Sequence, residues 1–487
     1  MITRFKVNGF KNLVNVDLRF GPFSCIAGPN SVGKSNLFDA IRFLSHSTEK
    51  TLIDAAKSVR SEGQKNSDIR DIFNKTGNVF TDHINFEVEM IIPESTIDHL
   101  GQKAESAITT VKYILEIKYN DSEDGELLQI EKEELVPIPQ NVSKNNLFFT
   151  KSSKWTNSII KGKRPNSASF ISTKTDENGQ KIVYIHQDQR MGKTGKRALQ
   201  LPRTILSTIT AEYPTACVTR HEIQSWMMLQ LEPSALRKSD EFDKRKNAKI
   251  QANGENLPAT LYRLNLENPD KDIYQKLSNR LSELVEGIKE IDIDKDDKRE
   301  LLTLMLKLKN GTTFPARSLS DGTLRFIGLA VLELDTTSTG VICLEEPENG
   351  IHPQKIEAMI RLLKDISTDT RYETDENNQL RQIIINTHSP IVVQLVPEES
   401  LLVAESKEAY DDLRKTKYIK TLYSPMTGTW RTKIPNDKAI PVSLNKLLSY
   451  LNPVPKSDVD TNDKNNFNSV RVADRKDVQQ LKIDFSI

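Results

Sequence analysis

The residues with the most defined chemistry are Gly28-Pro29-Asn30-Ser31-Val32-Gly33-Lys34-Ser35, which fit the phosphate-binding pattern G-x-x-x-x-G-K-[ST]. Phe23 to Ala27, just before, is short and mostly apolar like a buried strand, and Asn36 to Leu44, just after, carries apolar residues at helical spacing. Between a strand and a helix, such a loop turns successive backbone N–H groups toward phosphates, and the helix N-terminus adds partial positive charge. Gly28 to Asn36 are therefore the expected nucleotide-binding residues. Lys34 reaches the β- and γ-phosphates and the Ser35 hydroxyl ligates Mg²⁺. A nucleoside triphosphate with Mg²⁺ is the expected ligand.

Three later stretches supply complementary chemistry. Val341-Ile342-Cys343-Leu344 followed by Glu345 and Glu346 reads as a buried strand delivering two acids at its C-terminal end, where parallel sheets bind ligands. Glu345 is expected to hold Mg²⁺ through water, and Glu346 to orient or deprotonate the attacking water. Leu319-Ser320-Asp321-Gly322-Thr323 opens an apolar helix running through Leu334. There the Ser320 hydroxyl, the Gly322 backbone and the helix N-terminus offer a second anion-binding surface. Ile383-Ile384-Ile385 is another buried strand, ending in the polar cluster Asn386-Thr387-His388-Ser389.

These residues need a scaffold. Ile2 to Val7 and Val14 to Phe20 alternate apolar and polar as two strands joined by the turn Asn8 to Asn12, and they lead into the strand before the glycine-rich loop. Residues 84–90, 113–119 and 127–135 read as an antiparallel meander, and the polar stretch from Ser45 to Thr81 is expected to reach over the nucleotide. From Lys151 to Arg203, twelve lysines and arginines face three acids, with Trp155, Phe170 and Tyr184 interleaved. That segment either contacts a phosphate backbone or acidic partner, or is a solvated insertion. Pro214 to Pro233 reads as helical, and Tyr274, Leu277, Leu281, Leu284 and Ile288 recur at helical spacing. No heptad pattern persists, so a compact helical subdomain is expected in place of a long coiled coil.

With 68 lysines and arginines against 67 acids, the 487-residue chain is not a globally basic nucleic-acid binder, and any such contact must be local. Cys25, Cys217 and Cys343 are too scattered for a disulfide framework or zinc site and read as small buried hydrophobes. No run approaches membrane-helix length, so a cytoplasmic protein without membrane association is expected.

Taken in order, the motifs from Met1 to roughly Glu405 resemble the RecF, SMC-like and OLD-type ATPases of the ABC superclass, and the AAA-family ATPases of Septu and PARIS anti-phage systems. The resemblance implies an α/β, ABC-type P-loop nucleotide-binding domain with an antiparallel β meander and an inserted helical subdomain. It implies ATP, and a homodimer or higher homo-oligomer in which Leu319, Ser320, Asp321, Gly322 and Thr323 act in trans as the signature. His388 takes the place of the switch histidine that senses the γ-phosphate, and Lys11 that of a basic residue near the nucleotide. Ser31 stands where these families usually have Gly, and neither Gln64 nor Gln102 has the flanks of their Q-loop. OLD proteins add a TOPRIM nuclease, but no apolar strand presenting Asp-x-Asp follows Leu401 to Glu405, so none is expected here.

The implied role is sensor or regulator of a separate effector, a nuclease or toxin, in anti-phage defence; the alternative is a RecF-like DNA-binding repair ATPase. The expected divisions are 1–150 and 301–405 as the two parts of the ATPase domain, 151–203 as a basic insertion and 204–300 as a helical subdomain. Residues 406–454 form a C-terminal extension, and 455–487 a linker with a terminal strand-like segment that either adds to a sheet edge or frays.

Overall fold

The computed structural model describes residues 1–60, 68–77, 79–122, 125–162, 168–188, 193–198, 201–242, 248–283, 287–411, 415–435 and 439–443, with Leu447 and Leu451. Met1–Pro441 forms one unit; a second, Val442–Ile487, lies almost wholly outside the described residues, as does the strand-like segment expected near the terminus.

The site stands on a six-stranded sheet ordered Met227–Leu229, Gly340–Glu345, Arg381–Thr387, Phe23–Ala27, Leu401–Asp411, Thr416–Pro425. The first five strands run parallel and the last is antiparallel to its neighbour. Phe23–Ala27 and Arg381–Thr387 are buried along their whole length, polar Ser24, Gln382 and Asn386 included, because both faces of this parallel sheet are covered.

A second sheet of eight antiparallel strands runs Lys193–Arg197, Lys181–His186, Ile171–Thr175, Gly125–Pro137, Thr110–Ser122, His83–Ile91, Ile2–Asn8, Val16–Arg19. In His83–Ile91 one face is fully covered: Ile84, Phe86, Val88 and Met90 are at most 1 % exposed. This inner face receives the helix Lys34–Ser47, whose Phe43 stacks on Phe86 with ring centroids 5.6 Å apart. Phe10 completes the contact, 5.8 Å from Phe86 and 6.1 Å from Phe43. The helix that follows the glycine-rich loop is thus anchored on this sheet while its N-terminus faces the ends of the other.

Four expected boundaries change. The basic stretch 151–203 is no separate insertion, because its three strands complete the eight-stranded sheet, joined through the pair Leu135↔Ile171. Its charge is also less free than a count along the segment implies. Lys161 pairs with Glu94 and Lys181 with Glu131, and both acids lie outside the segment.

The expected helix 214–233 is a helix Pro214–Gln224, an edge strand Met227–Leu229 and a short helix Pro233–Leu236. Ile288 opens the strand Ile288–Asp296, paired with Leu301–Leu308, rather than closing a helix. Finally, the nucleotide-binding core does not stop at Glu405: Leu401–Asp411 and Thr416–Pro425 form one long hairpin on its edge. The stretch after Ser47 supplies the helix Leu52–Arg60 and then packs beside the Asn8 to Asn12 turn, where the Lys11 N–H donates to Ile72 O at 2.9 Å.

Glu133 is the most deeply placed acid of the eight-stranded sheet. Its carboxylate, 0 % exposed, accepts from the N–H groups of Ile205 (2.7 Å) and Leu206 (2.9 Å) and from the Tyr113 hydroxyl (3.1 Å). Burial pushes its pKa up to about 7, and the three donors offset that only in part. The folded state thus holds a proton that the unfolded chain has released, so this group's contribution to stability falls as pH rises through about 7. The change is on the order of 3 kcal/mol at 1.36 kcal/mol per pKa unit. Glu133→Gln is expected to flatten this slope. It also sets an amide N–H₂ against a backbone donor, which lowers stability at pH 5 by about 1–3 kcal/mol. Urea unfolding of both proteins between pH 5 and 8 checks the two effects.

Candidate active site

Sheet register gathers the expected residues at one end. Ala27 lies opposite Thr387 and Glu345 opposite Asn386, so the glycine-rich loop, the two acids and His388 leave their strands at the same level. Leu229 lies opposite Leu344, which brings Gln230 out beside Glu345.

The loop is held from several sides. Gly33 has φ 99°, and a Cβ there would lie 2.2 Å from Asn12 Nδ2 and 2.5 Å from Thr421 Oγ1, so no other residue fits. Ser31 adopts the left-handed conformation too, at φ 65°. The Val32 carbonyl accepts from Thr421 Oγ1 (2.7 Å) and Asn12 Nδ2 (3.3 Å), and Asn36 Nδ2 donates to Asn12 Oδ1 (2.7 Å). The Lys34 ammonium, 6 % exposed, donates back to the carbonyls of Gly28 (2.7 Å) and Pro29 (2.8 Å). Burial lowers its pKa, against the opposing charges of Glu346, Glu345 and Glu348. Lys11 bonds to Asp39 on the following helix.

Glu346 sits at φ 45°, with its N–H bonded to Asn386 O and Oδ1, both at 3.1 Å. Its carboxylate engages His388 Nδ1 at 2.7 Å and accepts from Asn349 Nδ2 at 2.9 Å. Burial raises this carboxyl, but the hydrogen bonds from Asn349 and His388 and the charges of His388 and Lys34 outweigh it, leaving the pKa below its ordinary value. Glu345 is exposed at the strand end, with Asn386 Nδ2 3.4 Å away. Glu348 is buried and accepts from the Thr387 hydroxyl.

Ser320 caps the helix Asp321–Leu334, accepting from the Thr323 N–H at 3.3 Å. Arg237 ties this cap, donating to Leu319 O at 3.1 Å and pairing with Asp321. Four residues beyond Asp321, Arg325 donates to Leu231 O (3.1 Å) and Asn349 O, while a Cβ on Gly322 would strike Gly350 O at 2.3 Å. None of these cap bonds reaches Gly28–Asn36 of the same chain. A cavity of about 290 Å³ lies beside the acids, bounded by Gln230, Glu232, Arg325, Glu345, Glu346 and Asn349.

Sequence reasoning passed over Gln230, Glu348, Asn349, Asn12 and Thr421. Gln64 lies outside the described residues, and Gln230 stands at a strand end beside Glu345. Its signal, a three-residue strand, is too short for periodicity to detect.

For Mg²⁺, the available donors are the exposed Ser35 hydroxyl and Glu345 carboxylate. No group of three or more metal-binding side chains occurs among the described residues. A sparse, all-oxygen donor set suits a cation that keeps its waters and takes phosphate oxygens.

The AAA ATPase domain family matches residues 1–393. The chain belongs to this family of ATPases. Over 65 residues it is 34 % identical to the DNA replication and repair protein RecF of Phocaeicola vulgatus, spanning 13 % of this chain and only 18 % of that protein. Among solved structures it is similar to an SmcHead bound to the C-winged helix domain of ScpA, at 14 % identity and TM-score 0.46, covering 86 % of this chain and 98 % of that one. It is also similar to the Pyrococcus furiosus Smc head domain with an extended coiled coil bound to the C-terminal domain of ScpA. There the identity is 12 % and the TM-score 0.43, covering 93 % of this chain and 99 % of that one. No helix among the described residues is long and apolar enough to cross a membrane.

The Thr421 contact makes the C-terminal hairpin a support of the loop. Thr421→Val keeps the side-chain shape but removes the bond to Val32 O. ATP affinity is expected to fall roughly fivefold, the equivalent of one hydrogen bond of about 1 kcal/mol, with the melting temperature little changed. Calorimetric ATP titration of both proteins checks this.

Proposed function

We propose that the protein binds and hydrolyses ATP in a head-to-tail homodimer, or a higher homo-oligomer built from it, and uses that cycle to restrain or release a separate effector, a nuclease or toxin, in anti-phage defence. The observation that carries the ATPase part is the Glu346–His388 contact at 2.7 Å, level with the glycine-rich loop. In this reading Gly28 to Asn36 bind the phosphates through backbone N–H groups, Lys34 turns from the loop carbonyls to the β- and γ-phosphates, and Glu346 takes a proton from the attacking water. His388 stabilises the charge on Glu346 and contacts the γ-phosphate. Ser35 and Glu345 would hold Mg²⁺, which would neutralise negative charge on the phosphates. The exposed Ser320 cap, unengaged with its own loop, supports phosphate recognition in trans with Leu319, Asp321, Gly322 and Thr323.

A second reading, a RecF-like DNA-repair ATPase, draws on the partial RecF match and on the exposed Lys174, Lys196 and Arg197 of the eight-stranded sheet. ATP-dependent DNA binding that weakens steeply with salt would favour it. Co-purification of a nuclease or toxin with the native protein would favour the first.

Glu346→Gln keeps the size of the side chain but removes the base. Turnover is expected to fall about 10²- to 10⁴-fold while ATP binding persists, trapping an ATP-bound dimer. Phosphate release and light scattering with ATP read both effects, and wild-type turnover would overturn the role of Glu346.

A further inference from the structure

The acidic turn carries a third carboxylate that the reaction above does not use. Glu348 is 7 % exposed, and its Oε2 has no hydrogen-bond partner. A buried carboxylate with one bare oxygen costs stability, and an apolar side chain of similar volume would fill the space more cheaply. Its other oxygen accepts from the hydroxyl of Thr387, and that hydroxyl in turn accepts from the Ser389 N–H at 2.9 Å. Thr387 and Ser389 are the two residues flanking His388.

The turn Glu346-Pro347-Glu348-Asn349 is closed by the Asn349 N–H on Glu346 O at 3.0 Å. Acids two residues apart therefore grip the histidine turn at two points, Glu346 on the His388 ring and Glu348 on the backbone-bonded hydroxyl beside it.

We propose that Glu348 is a positioning residue for ATP hydrolysis: through its hydrogen bond with Thr387, and without touching substrate, it fixes the separation of Glu346 from His388. The proposal rests on Glu346 being the group that activates water. The backbone bonds from its N–H to Asn386 hold Glu346 at its left-handed φ.

The test uses the full chain with Glu348→Gln, Glu348→Met, Thr387→Val and the Glu348→Met/Thr387→Val double variant. ATPase kcat and KM, ATP affinity by calorimetry and melting temperature are measured for each. Glu348→Met and Thr387→Val should each lower kcat about ten- to a hundredfold, with KM and ATP affinity within about twofold of wild type. The double variant should be no slower than the worse single variant, because the Glu348–Thr387 bond is lost in every case, Thr387→Val losing the Ser389 N–H contact as well. Glu348→Gln, whose amide oxygen still accepts from Thr387, should stay within about threefold of wild type.

Wild-type kcat in Thr387→Val overturns the proposal, and this near-isosteric variant carries the test if Glu348→Met does not fold. Multiplying losses in the double variant overturn it. So does a Glu348→Gln as slow as Glu348→Met, which would make charge the operative property. A kcat loss matched by falling ATP affinity and melting temperature also overturns it, in favour of a purely structural acid. An active Glu346→Gln would instead overturn the water-activating role itself, whereas an inactive Glu346→Gln beside a fully active Thr387→Val removes only the latch.

Discussion

One buried ammonium sets the terms for this site. Lys34 lies at the base of the glycine-rich loop, nearly closed to solvent, with two backbone carbonyls as its hydrogen-bond partners. Removing a cation from water is costly unless opposite charge and acceptors replace the lost hydration. Glu345, Glu346 and Glu348 supply that charge from the neighbouring turn. The acids also crowd one another: burial raises the Glu348 carboxyl, and the nearby Glu346 charge adds to the effect. Lysine, loop carbonyls and three carboxylates are thus mutually dependent. The register of the parallel sheet delivers the loop and the acids to one level.

The rest of the unit can be understood as support for that level. Phe43 fixes the helix after the loop to the eight-stranded sheet, so the start of the helix cannot drift from the strand ends. From the other side, the hairpin Leu401–Asp411 and Thr416–Pro425 reaches the loop through Thr421 and through the Tyr423 hydroxyl, 3.4 Å from Gly33 O. Support therefore comes from residues far apart in the chain, and the loop is buttressed where a Cβ on Gly33 would leave no room.

A continuous line of contacts connects the capped helix to the acids. Arg325 holds the carbonyl of Asn349, the side chain of Asn349 holds Glu346, and Glu346 holds His388. Both oxygens of the Glu346 carboxylate are engaged, on a backbone at φ 45° that a glutamate rarely adopts. Such strain persists only where surrounding bonds over-determine it, and here the two bonds from its N–H to Asn386 do so.

By itself the sequence determined the local pieces whose chemistry is contiguous. The glycine-rich loop between strand and helix, the acids after a four-residue apolar run, the Ser320 cap and the histidine after three isoleucines each carry their signal within about ten residues. The inner strands of the meander were legible too, since apolar residues such as Ile84, Phe86, Val88 and Met90 alternate with polar ones. What only the tertiary structure decided was partnership across distance. Gln230 comes beside Glu345 through a three-residue strand with no period to read. Thr421 supports a loop nearly four hundred residues away in the chain, |i−j| = 389. The lysines of 151–203 look like a free basic insertion until the sheet pairs Lys181 with Glu131. Spacing along the chain encodes which face of an element is apolar. Which strand it pairs with is settled by burial and hydrogen bonding of the whole molecule, and the residues that hold the site in place, Glu348 and Thr387 among them, become visible only there.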